Sequence, residues 1–244
     1  MNSHTDLSGR TILVTGASRG IGFASARELS KAGAHIIATA RTQGALEELD
    51  DIIRKEGGTD MTLVPMDLRA PDGIDQLGAA IYERWGHLDG LLANAGVLGE
   101  MAPVSHIAPK KFDEAIAVNI TANYRLIRSL DSLLQASPSG RAVFISSHGA
   151  QSRKAYWGTY ATTKSALDAL VTCYAKETEK TNLRVNLLYP PAIRTQMRAK
   201  AMPGEDPDTL PTPSDIAPLI IPYLAPGYTG HGEIIDLRDK VKRR

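Results

Sequence analysis

The stretch from Thr11 to Gly22, "TILVTGASRGIG", constrains the fold more than any other. A short β-branched apolar run closes on three glycines, and a helical pattern, "IGFASARELSKAG", opens directly behind them. The run reads as a buried strand, and the helix is expected to stop at Gly33, where the left-handed conformation of a helix end suits glycine. The unit then recurs. "HIIATA" reads as strand and "ALEELDDIIRKEGG" as helix; "MTLVPMDL" reads as strand and "GIDQLGAAIYERWG" as helix; "LDGLLANAG" reads as strand and Pro109 to Leu134 as one long helix. "RAVFISS", a helix from about Tyr156 to Thr178, "LRVNLLYPP", a helix over "PSDIAPLIIPYLA" and a last strand in "GEIIDL" follow. Strands apolar along their length need cover on both faces, and strands that alternate with helices pair in parallel. The chain, residues 1–244, is expected to form a single doubly wound α/β domain on a mostly parallel seven-stranded sheet.

Composition narrows the function classes. With 43% hydrophobic and 23% charged residues and a formal net charge of +1, the chain can bury a sizeable core and offers no basic face for nucleic acid or an anionic membrane. The terminal "KVKRR" alone makes no such face. No run approaches the roughly 20 apolar residues of a membrane span, and "MNSHTDLSGRT" contains no apolar leader, so a cytoplasmic setting is expected. Cys173 is the only cysteine, which leaves no intrachain disulfide; it is expected to be packed or lightly exposed. The six histidines are scattered without ligand spacing, and no metal site is expected.

"TGASRGIG" lies where a strand meets a helix, the place where glycines permit a tight turn and free N–H groups with the helix dipole receive a pyrophosphate. Its form is T-G-x-x-x-G-x-G, and here the chain resembles the short-chain dehydrogenase/reductase family, whose fold is of the Rossmann type. In dinucleotide folds an acidic residue about 20 positions on receives the ribose of NAD, and an arginine nearby accommodates the 2′-phosphate of NADP. Ala40 and Arg41 stand at that place, and Arg19 adds a second cation inside the loop. The missing acid and the two guanidinium groups favour NADP(H), with NAD(H) as the alternative. The resemblance continues at Asp67, which matches the family's aspartate near the adenine ring. "ANAG" matches its N-N-A-G through Asn94, Ala95 and Gly96, with Ala93 in place of the first asparagine. With Gly16, Gly20 and Gly22, it also implies cofactor contacts at Thr15, Ser18, Ile21, Leu68, Pro190, Ile193 and Thr195.

Tyr160 and Lys164, in "GTYATTKSALDAL", are four residues apart on an expected helix and share one face of it. Free tyrosine, with a pKa of about 10, is a poor acid near neutrality, and a nearby cation is expected to lower that value. The pair fulfils the family's Y-x-x-x-K motif, which Tyr156 and Lys154 do not. By family spacing Ser147, rather than Ser146, is the hydroxyl that orients a substrate carbonyl. Asn119, in the long helix, matches the asparagine that helps to hold a water relay to the lysine. Tyr160 and Lys164 are also expected to touch the nicotinamide ribose. The resemblance thus implies hydride transfer between NADP(H) and a ketone or aldehyde, with Tyr160 as general acid and base. A non-catalytic NADP-binding sensor or scaffold is the alternative, with little reason to keep Asn119, Ser147, Tyr160 and Lys164 together.

Two departures from the family stand out. Pro191 replaces the glycine that follows Pro190, which removes a backbone donor and restricts φ. The chain ends in "EIIDLRDKVKRR" where many relatives have a Gly-Gly turn; residues 237–244 are read as a disordered basic tail, with a subunit contact as the alternative. The Pro- and Gly-rich segment at 195–213 is read as a substrate lid, with a mobile surface loop as the alternative. Arg194, Arg198 and Lys200 are read as solvated charges, with attraction of an acidic or carrier-bound carbonyl as the alternative, and "RAKAMPGEDP" is similar to bacterial members with no settled substrate. His148 and Tyr156 are placed near the pocket. Association as a homodimer or homotetramer through the two long helices is expected by resemblance.

Overall fold

The computed structural model describes residues 5–59 and 61–241. Seven parallel strands form one sheet: β1 (Thr11–Thr15), β2 (His35–Ala40), β3 (Thr62–Pro65), β4 (Gly90–Ala93), β5 (Arg141–Ile145), β6 (Arg184–Tyr189) and β7 (Ile234–Asp236). Their order is β3-β2-β1-β4-β5-β6-β7. Ile12 pairs with Ile36 on one side and Gly90 on the other, so the order reverses between β1 and β4 and opens a crevice beyond their C-terminal ends.

The period of two along β1 divides the core. Ile12 and Val14 face one side with Leu29, Ile36, Leu46, Ile216 and Leu224, under α1 (Gly20–Lys31), α2 (Gln43–Lys55) and α9 (Pro213–Ile220). Leu13 faces the other with Leu91, Phe144, Leu130, Leu167 and Val171. That face is covered by α3 (Pro71–Trp85), α5 (Ala122–Ala136) and α7 (Gly158–Glu177). Both faces are apolar, which accounts for the doubly wound architecture. Leu13 is fully buried, and truncating it to alanine should cost about 2–5 kcal/mol.

Four expectations change. The long helix from Pro109 is interrupted: α4 (Pro109–Ile116) passes through a wide π turn at Ala117–Thr121 into α5. The helix expected at about Tyr156 begins at Gly158, after a short α6 (Gly149–Ser152) and a turn in which Arg153 and Tyr156 take φ of 42° and 70°. The last helix stops at Ile220, where a tighter turn, Ile221–Leu224, takes over; Pro222 has no N–H with which to continue an α-helix. The reading of residues 237–241 as disordered is also corrected. Leu237 is fully buried, Arg238–Lys240 forms a turn, Lys240 Nζ donates to the Tyr223 hydroxyl at 2.5 Å, and Val241 packs on the core. Residues 242–244 of the expected tail lie outside the described residues. Cys173 is exposed on α7. Among the described residues, no helix is long and apolar enough to cross a membrane, and no group of three or more His, Cys, Asp or Glu could hold a metal ion.

Candidate active site

A cavity of about 1030 Å³ opens at the crevice. All the site residues read from the sequence line it except Thr15, Gly22 and Asn119, which lie just behind its wall. At one end is the glycine loop. Gly16 and Gly20 have φ of 67° and 60°, the left-handed region that glycine enters without strain. A Cβ on Gly22 would overlap Asn94 Nδ2 and Gly16 O. Thr15 Oγ1 accepts from the N–H groups of Asn94 and Ala95, both at 3.0 Å, and Asn94 Nδ2 donates to Thr15 O at 3.0 Å. These bonds stitch the end of β4 to the end of β1 and keep the crevice floor in place. No side chain caps the N-terminus of α1, whose first residues Gly20 and Ile21 line the cavity.

Around this end stand three arginines. Arg41 is exposed beyond the end of β2, close enough to Asp67 to favour its ionised form. Arg19 Nη1 donates to Gln196 Oε1 at 2.8 Å, which ties the glycine loop to α8 (Gln196–Ala201). Arg69, absent from the sequence reading, donates through Nε to both oxygens of Asp67 at 3.0 Å and holds that carboxyl below the usual carboxylate range.

At the other end, α7 buries a stripe of Leu167, Val171 and Tyr174 against the sheet, and Tyr160 and Lys164 continue the same stripe into the cavity wall. Lys164 Nζ donates to Ile145 O at 2.8 Å and lies 6.0 Å from the Tyr160 ring centre. The expected lowering of the Tyr160 pKa is not what this arrangement produces: burial pushes the phenol up, and a hydrogen bond with Ser147 opposes that. Burial also brings Lys164 down to about 8, with Asp168 acting in the opposite direction. Ser147 and Ser146 both line the cavity, but Ser147 Oγ accepts from Gly149 N at 3.0 Å, whereas Ser146 is buried and donates to Asp168 at 2.5 Å. Tyr156 and Lys154 are exposed, and neither they nor His148 line the cavity.

Asn119 is fully buried in the π turn. Its Oδ1 accepts from Val97 N at 2.8 Å, and its Nδ2 donates to Val97 O and to Thr163 Oγ1, both at 2.9 Å. Its carbonyl accepts from Asn123 Nδ2 at 2.8 Å. The side chain is thus a strut between the loop after β4 and α7, and such π turns are frequent at functional sites.

The segment beyond β6 brings Pro190, Pro191, Ile193 and Thr195 to the cavity. Thr195 Oγ1 accepts from Arg198 N at 3.1 Å and caps α8, and its methyl group lies 3.6 Å from where a Gly20 Cβ would stand. Two of the three basic side chains read as solvated are paired: Arg194 meets Asp208 at 3.0 Å, and Arg198 donates to both Glu205 oxygens at 2.5 and 2.6 Å. Lys200 is exposed at the rim. The sequence reading missed Trp157, whose ring meets Tyr160 edge-on at 5.8 Å, and Asp168. Their signal was spacing: they stand three and eight positions from Tyr160, at intervals that return to one helix face.

A strand-to-glycine-to-helix turn facing a half-buried Ser and a buried Tyr and Lys across one cavity defines a class of oxidoreductase, and the family model for short chain dehydrogenases matches residues 10–206. The chain belongs to the short-chain dehydrogenase family. It is 38% identical over 217 residues to the oxidoreductase YciK of Escherichia coli K12, covering 88% of this chain and 86% of that one. Among solved structures it is similar to a short chain dehydrogenase from Pseudomonas syringae, with a TM-score of 0.93, 35% identity and 96% of each chain covered. A short chain dehydrogenase from Escherichia coli CFT073 complexed with NADPH gives a TM-score of 0.92 at 35% identity, with 96% of this chain and 99% of that one covered.

Proposed function

We propose that the chain is an NADP(H)-dependent oxidoreductase that interconverts a ketone or aldehyde with an alcohol, using Tyr160 as general acid and base. The observation that carries the reading is the shared cavity wall of Ser147, Tyr160 and Lys164, opposite a glycine loop flanked by Arg19 and Arg41. The residues fit a dinucleotide with a 2′-phosphate: glycine at 16 and 22 lets the turn close against Asn94 and Ala95, the α1 N-terminus is uncapped, and Ala40 and Arg41 stand at the β2 end where an acid would receive the ribose of NAD. The solved relative bound to NADPH supports the same choice.

Bound NADPH would supply the hydride, which these side chains cannot. Ser147 donates a hydrogen bond to the substrate oxygen and fixes the carbonyl beside Tyr160. Because burial raises the Tyr160 pKa, the phenol is protonated at neutral pH, the form that reduction requires. It donates its proton to the forming alkoxide. Lys164, held on Ile145 O, stabilises the resulting tyrosinate while it carries its charge. Oxidation of an alcohol reverses each transfer and needs tyrosinate, so it should gain as pH rises. Asn119 positions the loop after β4 against α7. We further propose that residues 195–213 close over the substrate as a lid within a single domain, and that homodimers or homotetramers form through α4–α5 and α7.

The test is Tyr160→Phe, with turnover and cofactor binding measured separately. Turnover should fall by about 10²–10⁴-fold while NADPH affinity is kept; full activity in the mutant would sink the assignment. NADPH binding by the native protein with no turnover on any aldehyde or ketone would favour the sensor reading.

A further inference from the structure

The chemistry beyond Tyr160 narrows the substrate. We infer that the substrate end of the cavity takes an uncharged carbonyl compound with an apolar aryl or alkyl substituent, and that Trp157 sets this preference. The inference rests on the carbonyl reading above for what happens at Tyr160, and on the following geometry for what lies around it.

The wall at this end comes from three segments: the loop after β4, the turn before α7, and α8 of the lid. The first two meet at the start of α7, and α8 reaches over from the glycine loop, to which Arg19 and Gln196 tie it. Trp157 packs edge-on against the Tyr160 ring, and a Cβ on Gly99 would touch Thr159, which places the β4 loop on the same helix start. The half-buried apolar side chains these segments turn to the cavity include Leu98, Met101, Trp157 and Met197, with Glu100 and Arg198 beside them. Thioethers and an indole make an adaptable apolar surface suited to flat or flexible hydrocarbon.

Three charged groups of these segments have partners within the protein, although Arg194 keeps a buried Nε without one. Glu100 accepts from Ala108 N at 2.7 Å, Arg194 pairs with Asp208 at 3.0 Å, and Arg198 is held by both oxygens of Glu205. Lys164 is held on Ile145 O, and Lys200 is exposed at the rim rather than beside Tyr160. A substrate carboxylate brought to Trp157 would lose its water without gaining a cation, which is costly. An added methylene there gains about fourfold in affinity.

The experiment is calorimetric titration of the NADP⁺-saturated protein with acetophenone, propiophenone and 4-carboxyacetophenone, alongside NADPH consumption with each. The two neutral ketones should bind about tenfold tighter than the carboxylated one. Trp157→Ala should weaken propiophenone about tenfold and leave NADP⁺ affinity within about twofold. Trp157→Phe, which keeps an aromatic wall, should lose less, and it serves if the alanine variant does not fold. Equal or tighter binding of 4-carboxyacetophenone overturns the inference, above all if Lys200→Ala removes that binding; so does unchanged propiophenone affinity in both Trp157 variants. Neutral ketones that bind without consuming NADPH support the apolar site and overturn hydride transfer. Turnover confined to the carboxylated ketone supports hydride transfer and overturns the apolar site.

Discussion

Lys164 and Asp168 stand one turn apart on α7, and the carboxylate is anchored from the sheet: Ser146 Oγ donates to one oxygen at 2.5 Å and the Tyr189 hydroxyl donates to the other. Asp168 is the anion that favours the charged form of the buried lysine, against desolvation that brings it down to about 8. The other groups against Lys164 are neutral: the Tyr160 ring, the Ile145 carbonyl and, across Gly96, the Asn119 amide. Activity that needs the ammonium should therefore fall as pH rises through about 8. Asp168→Asn withdraws the favourable charge and should move that alkaline limb of kcat/KM to lower pH, with a loss of about threefold or more at pH 8. Tyr189→Phe keeps the carboxylate and should move it less. A limb that stays in place while the amplitude drops would make Asp168 merely structural.

The same lysine should weigh on stability. Its pKa is lowered from 10.5 to about 8 in the folded state, so between those values the unfolded chain binds more protons and stability from this group rises with pH; below about 8 its cost is constant. Lys164→Met should therefore raise unfolding free energy by about 1–3 kcal/mol at pH 7 even as turnover is lost. The gain should shrink from pH 8 to 10.5, as measured by urea unfolding at each pH.

Arg41 and Arg19 should act on the cofactor's phosphate and not on its ring. Replacing either with alanine is expected to weaken NADPH about tenfold and NADH less than about twofold, and the difference should narrow as salt rises. Fluorescence titrations with both cofactors at two ionic strengths decide this. Tighter NADH binding by the native protein would overturn the 2′-phosphate assignment.

Asn119 satisfies three buried hydrogen bonds through its side chain. Asn119→Leu should cost about 3 kcal/mol by leaving Val97 N–H and C=O without partners, read as a lower urea midpoint. An unchanged midpoint would remove the strut from the account of the π turn.

The sequence by itself determined the doubly wound sheet, the glycine cradle, the Arg41 end of β2 and the Tyr160–Lys164 pair. Each rests on a local regularity: period two in strands, three to four in helices, and glycine where φ must be positive. Tertiary structure decided what depends on distant partners. The π turn at Asn119 follows from Val97 and Thr163, 22 and 44 positions away. The Tyr160 pKa rises because burial outweighs the hydrogen bond with Ser147, while Lys164 donates to Ile145 O, and no spacing along α7 reveals that balance. Arg194 and Arg198 gain their partners only when Asp208 and Glu205 fold back on them, and Leu237 leaves the expected tail because the folded chain buries it fully. Local periodicity is written in neighbouring residues, whereas desolvation and charge pairing exist only once the chain has brought remote groups together.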